Sequence, residues 1–157
     1  MKKQAGISLI ETMVTLFIVS ILLSYAIPNF KDFLLRQSLT TKANDMLVDL
    51  VFTRAAAINQ GIPVRISANP TWVEGWQVIT DIDGDGLFNG ADQVLRKVNK
   101  VEENIQLIDG LGDDIPIIFG VTGSLRAPDP REITIKHTDV SESKTLRISL
   151  SGSISVR

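Results

Sequence analysis

Cysteine is missing from all 157 residues, which excludes disulfides, thiol nucleophiles and thiolate-bound metals together. The compartment therefore has to be read from something other than cysteine usage. Histidine occurs once, as His137, with no acid–nucleophile pattern beside it. General acid–base catalysis needs a partner and a pocket, so nothing in the chain points to an enzyme. Net charge is also small: the formal value is −2, and no long basic run is present. Bulk charge thus favours neither nucleic acid nor anionic lipid as a partner. Internal repeats and low-complexity segments are absent.

Charge is missing too from residues 7–27, an apolar run interrupted only by Glu11. As a helix rising about 1.5 Å per residue, the run reaches roughly 31 Å, close to the ~30 Å of bilayer hydrocarbon. It is long enough to cross a membrane once. Lys2 and Lys3 precede it, which favours an amino end on the cytoplasmic side and a domain after Pro28 on the other. A carboxylate inside such a span costs a few kcal/mol, and residues of this kind usually have a partner or a function. Two plainer readings stand beside this one. Ser24-Tyr25-Ala26 has the small-x-small form of a signal-peptidase site, but an ordinary signal core is shorter, roughly 7–15 residues, and has no use for a glutamate. A simple anchor gains nothing from Glu11 either.

The segment Gly6-Ile7-Ser8-Leu9-Ile10-Glu11 resembles the class III leader of type IV pilins and of the pseudopilins of type II secretion systems. The resemblance implies a prepilin peptidase that cuts between Gly6 and Ile7 and methylates the new amino terminus at Ile7. It also implies that Glu11 pairs with the amino terminus of a neighbouring subunit during assembly. Other expected partners are further pilins or pseudopilins, the inner-membrane assembly platform and, before assembly, membrane lipid. Ile7 departs from the family's usual phenylalanine. Pro28 stands where many pilins carry a helix-kinking proline, and it removes an intrahelical hydrogen bond.

Helical period continues past Pro28, with Leu39, Ala43, Met46, Leu47, Leu50, Ala57 and Ile58 at three- and four-residue spacings and Lys42, Asp45 and Asp49 on other faces. Gly61 and Pro63 end it near Gln60. Short strands are expected over 64–67, 76–80, 94–98, 104–108, 115–119, 132–136, 144–150 and 153–156, divided by turn pairs such as Asp83-Gly84, Asn89-Gly90 and Ser151-Gly152. The expected class is α+β: a long amino-terminal transmembrane and shaft helix, then an antiparallel β domain in one sheet or two small ones. The divisions are a leader at 1–6, a transmembrane and assembly helix at 7–27, its amphipathic continuation at 28–60 and an exported β-rich domain at 61–157.

This tail is similar to the GspH/FimT group of minor pilins and pseudopilins, through Arg54-Ala55-Ala56-Ala57-Ile58, Gly75-Trp76-Gln77-Val78, Ile118-Phe119-Gly120 with Gly123, and Ser151-Gly152. The resemblance implies a non-enzymatic subunit of a pseudopilus or pilus, anchored in the bacterial inner membrane with a periplasmic domain. Some members bind DNA for natural transformation through Gly-Arg-x-Arg. Here that stretch reads Gly152-Ser153-Ile154-Ser155, and Arg157 alone supplies little phosphate neutralisation, which makes DNA uptake the lesser alternative. Trp72 and Trp76 read as core indoles before a stacking pair, since Trp76, Val78 and Thr80 share one strand face. Arg54 reads as a snorkelling or paired residue.

Residues 81–92 carry the sharpest chemistry outside the leader. Asp81, Asp83 and Asp85 at loop positions 1, 3 and 5, glycine at 6, the Leu87 carbonyl at 7, Asn89 at 9 and Asp92 at 12 reproduce the spacing of an EF-hand calcium loop. Strand-like flanks and the short Asp92 arm depart from that motif, and Asp/Asn/Gly-rich hairpins use the same residues for turn geometry. Calcium binding, an ordinary acidic hairpin, and a membrane-anchored calcium module without a filament role are the readings left open.

Overall fold

The computed structural model describes residues 8–85, 89–90, 92–101, 104–113 and 115–157. The chain falls into two compact units, 1–35 and 36–157.

Described by itself, the first unit is helical from Leu9, part of α1 (Leu9–Gln60), an element 52 residues long with Pro28 inside it. Its apolar side chains, among them Leu9, Phe17, Leu22, Ile27 and Phe30, are exposed. An 18-residue window of this helix has mean hydropathy 2.0, long and apolar enough to cross a membrane. Three aliphatic hydroxyls within it are satisfied locally: Thr15, Ser20 and Ser24 donate to the carbonyls of Thr12, Phe17 and Ile21 at 2.9, 2.7 and 2.6 Å. Such back-bonding keeps polar groups paired where no water is available, so these residues do not spoil an apolar surface.

Among the described residues, the second unit combines the carboxyl part of α1 with eight strands: β1 (Val64–Ala68), β2 (Trp76–Thr80), β3 (Gln93–Val98), β4 (Ile105–Asp109), β5 (Ile117–Phe119), β6 (Arg131–His137), β7 (Ser143–Ile148) and β8 (Ile154–Val156). They form two four-stranded sheets, β3-β2-β1-β5 and β4-β6-β7-β8. Every pairing is antiparallel. Leu39, Ala43, Met46, Leu50 and Ala57 line one face of the helix, and they join Val64, Ile66, Ile117 and Phe119 from one sheet and Ile105, Ile133, Ile135 and Leu146 from the other in one core. At roughly 1.5–3 kcal/mol per buried large aliphatic side chain, this cluster dominates the stability of the unit.

The expected elements are present with shifted ends. β5 begins at Ile117 where the strand was expected from 115. Pro116 has no N–H for the ladder, and the Ile115 carbonyl bonds Arg131 instead. β7 ends at Ile148 because Ser149 turns the chain, donating its N–H to Ser153 and accepting that of Gly152, both at 2.9 Å. One burial expectation is corrected. Asp49, expected on a face other than the apolar stripe, is 1% exposed. It sits on the core stripe between Met46 and Thr53, and two partners from β2 and β3 make that burial tolerable.

Candidate functional site

Three places in the fold concentrate chemistry. At the start of α1, Glu11 lies in the first helical turn and is exposed. Ser8 precedes the helix by one residue, so Ser8-Leu9-Ile10-Glu11 has the spacing of a capping box, in which the glutamate stands at the third helical position. A carboxylate there also faces the positive end of the helix dipole. The spacing S-x-x-E was legible in the sequence, but among the described residues neither the Ser8 hydroxyl nor the Glu11 carboxylate makes a hydrogen bond, so the carboxylate is left open for another partner. Gly6, Ile7 and the two lysines lie outside the described residues.

The second place is a cleft of about 380 Å³ lined by Lys42, Asp45, Asp49, Trp76, Arg96 and Lys100, among others. The Trp76 indole N–H donates to Asp49 Oδ2 at 2.6 Å, and Arg96 Nη1 lies 2.8 Å from Oδ1. Arg96 also stacks over Phe52, 5.9 Å from its centroid. Trp72 and Trp76 are both core residues, 0% and 2% exposed. Further along the helix, Arg54 Nε donates to the Gly123 carbonyl at 2.9 Å, and Nη2 reaches the Ser151 carbonyl at 3.4 Å. One arginine thus ties the helix to two loops.

The third place is the β2–β3 connection. Asp81, Asp83 and Asp85 each bring a carboxylate oxygen within 4.8 Å of the others. Asp81 is 2% exposed, while Asp83 and Asp85 are open to solvent. The Asp81 backbone N–H donates to the Pro63 carbonyl at 3.0 Å, which sets the loop beside the junction of α1 and β1. Asp92 is employed differently: Oδ1 accepts the Ile82 N–H and Oδ2 the Asn89 N–H, both at 2.9 Å, so it braces the loop backbone. Asn89 donates its side-chain amide to Asp85 Oδ2 at 3.3 Å. The Asp85 backbone N–H draws the Asp83 carboxyl down, but desolvation and the charges of Asp85 and Asp92 outweigh it and raise the Asp83 pKa. Leu87, the expected carbonyl ligand, lies outside the described residues.

His137 is buried and accepts the Asp139 N–H at Nδ1, 3.1 Å away, an ordinary structural bond. Ser153 and Ser155 are exposed beyond the Gly152 turn, on and beside the edge strand β8.

Residues 42–153 match the family model described as type II transport protein GspH, and residues 1–27 match the prokaryotic N-terminal methylation motif. The chain belongs to the GspH family. A fimbrial protein of Pseudomonas aeruginosa is 30% identical over 115 residues, 71% of each chain. Among solved structures, the fold is similar to the type IV minor pilin FimU of P. aeruginosa, with TM-score 0.63, 20% identity, and coverage of 78% of this chain and 90% of that one. It is also similar to the minor pseudopilin EpsH of the Vibrio cholerae type 2 secretion system, with TM-score 0.53, 15% identity, and coverage of 76% and 96%. A GspH-family chain therefore carries the pilin-like plan: a methylation-motif segment and an apolar helix, then an antiparallel β domain.

Proposed function

We propose that this chain is a non-enzymatic minor pilin or minor pseudopilin, cut after Gly6 and methylated at Ile7. Before assembly α1 anchors it in the bacterial inner membrane, with the β domain in the periplasm. The observation that carries the reading is the union in one chain of the methylation motif at 1–27, the GspH match at 42–153 and an exposed apolar helix with Glu11 in its first turn. Lipid satisfies the apolar surface of such a helix, and so do the helices of neighbouring subunits; only the second gives Glu11 a counter-charge. A buried pair of this kind adds little net stability and fixes register.

Two outcomes are expected. Intact-mass measurement of the protein purified from its own host gives a chain beginning at Ile7 and heavier by one methyl group; a terminus at Ile27 would sink the reading. Glu11→Gln keeps the hydrogen-bonding side chain a capping box can use but removes the charge. Its level in membranes is unchanged, while its recovery in sheared filament fractions falls about tenfold, the effect of losing about 1.4 kcal/mol per subunit contact. Normal incorporation of Glu11→Gln would assign Glu11 to capping alone.

A further inference from the structure

We infer that Asp81, Asp83 and Asp85 form a calcium site on the β2–β3 loop. Exposed acidic groups cluster often without holding an ion, so the clustering alone decides nothing. The deciding residue is Asp81. It is 2% exposed, and its Oδ1 is buried with no hydrogen-bond partner. A buried carboxylate oxygen without a donor carries a desolvation cost, larger for a charged group than for a neutral one, and native structures avoid it unless something else supplies positive charge. The groups gathered beside Asp81 are two further carboxylates, so a cation fills the need.

The geometry suits one ion. Three carboxylate oxygens all within 4.8 Å of one another can share one ion, because bonds in the calcium range of about 2.3–2.6 Å need oxygens no more than about 4.0–4.5 Å apart when the three surround it in a plane. Magnesium, at about 2.0–2.1 Å with strict octahedral geometry, demands closer oxygens and gives up its water reluctantly. Asp92 shapes the loop through the Ile82 and Asn89 N–H groups, so the carboxylates are presented by backbone the ion need not organise. Water completes a shell that three carboxylates leave unfinished, which sets affinity at the weak end, about 10⁻⁴–10⁻³ M. Because the Asp81 N–H is held by Pro63, occupancy stiffens the loop against the end of α1.

Calcium is titrated into the chelator-treated full chain in detergent micelles, with heat and thermal unfolding as readouts. One site per chain saturates, and Tm rises by about 5–10 °C at about 10 mM calcium, with less than half that shift at the same concentration of magnesium. Asp83→Asn with Asp85→Asn, both solvent-facing, abolishes the response, while Asp129→Asn preserves it. Asp81→Asn raises Tm in chelator by relieving the repulsion and is indifferent to calcium, which a merely structural aspartate would not be. No response to calcium at that concentration, an equal response to magnesium, or a response that survives the double substitution overturns the site.

Discussion

Asp109→Ala lowers the stability of the folded chain by about 3–5 kcal/mol, because it strands a buried arginine. The Arg131 and Asp109 side chains are 2% and 0% exposed, and Arg131 Nη2 bonds Asp109 Oδ2 and the Ile115 carbonyl. Asp109 Oδ1 also accepts the Leu111 N–H at 3.1 Å, so alanine leaves both a guanidinium and a turn without their acceptor. Desolvating the two charges is expensive, and the intact pair adds little net stability even though breaking it is severe. The double replacement Asp109→Leu with Arg131→Met therefore recovers most of the loss. Chemical denaturation of the full chain in mild detergent measures both, read through Trp72 and Trp76, the two tryptophans of the sequence, both buried. A cost below about 1 kcal/mol for Asp109→Ala, or a double variant worse than the single, would show that the pair is not a closed unit.

Gly152→Ala is expected to cost about 3 kcal/mol or more in the same assay, from backbone strain and a clash together. Gly152 has φ +78°, where a side chain alone costs roughly 1–2 kcal/mol. An added Cβ would also stand 1.8 Å from the Gly123 carbonyl oxygen and 2.9 Å from Arg54 Nε. Backbone cannot yield there without releasing the arginine, so the tie between helix and loops is lost along with the turn. Gly61→Ala is the internal control: φ is +68°, but nothing lies within 4 Å of its added Cβ, and the cost stays near about 1 kcal/mol. Equal losses at the two glycines would mean that backbone conformation, not the close approach, is what Gly152 is needed for.

The elements were legible because their signals are local. Alternation such as Ile133 and Ile135 against Glu132 and Lys136, and punctuation by Gly61, Pro63 and Ser151-Gly152, depend on neighbours in sequence. Pairing is not local, and the strand order shows what that hides. β5 leaves its sequence neighbours to join β1, while β4 pairs with β6 across it. The Asp109–Arg131 pair exists only because of that crossover, so nothing near either residue announced it. Asp49 was missed for another reason. Its charge outweighed its position three residues from Met46 and four from Thr53, although that spacing places it on the buried stripe. At the acidic loop the ligand spacing was legible, whereas the burial of Asp81 and the bracing role of Asp92 depend on Pro63 and on backbone donors that no spacing rule encodes.

Arg54 grips its two loops through main-chain carbonyls of Gly123 and Ser151, atoms that every substitution preserves. Side chains next to those oxygens are thereby released from holding the domain together: Val121, Thr122 and Ser151 all face solvent. Drift can rewrite the surface chemistry of these loops while the join beneath them stays intact, so what they present to solvent is free to change without cost to the architecture.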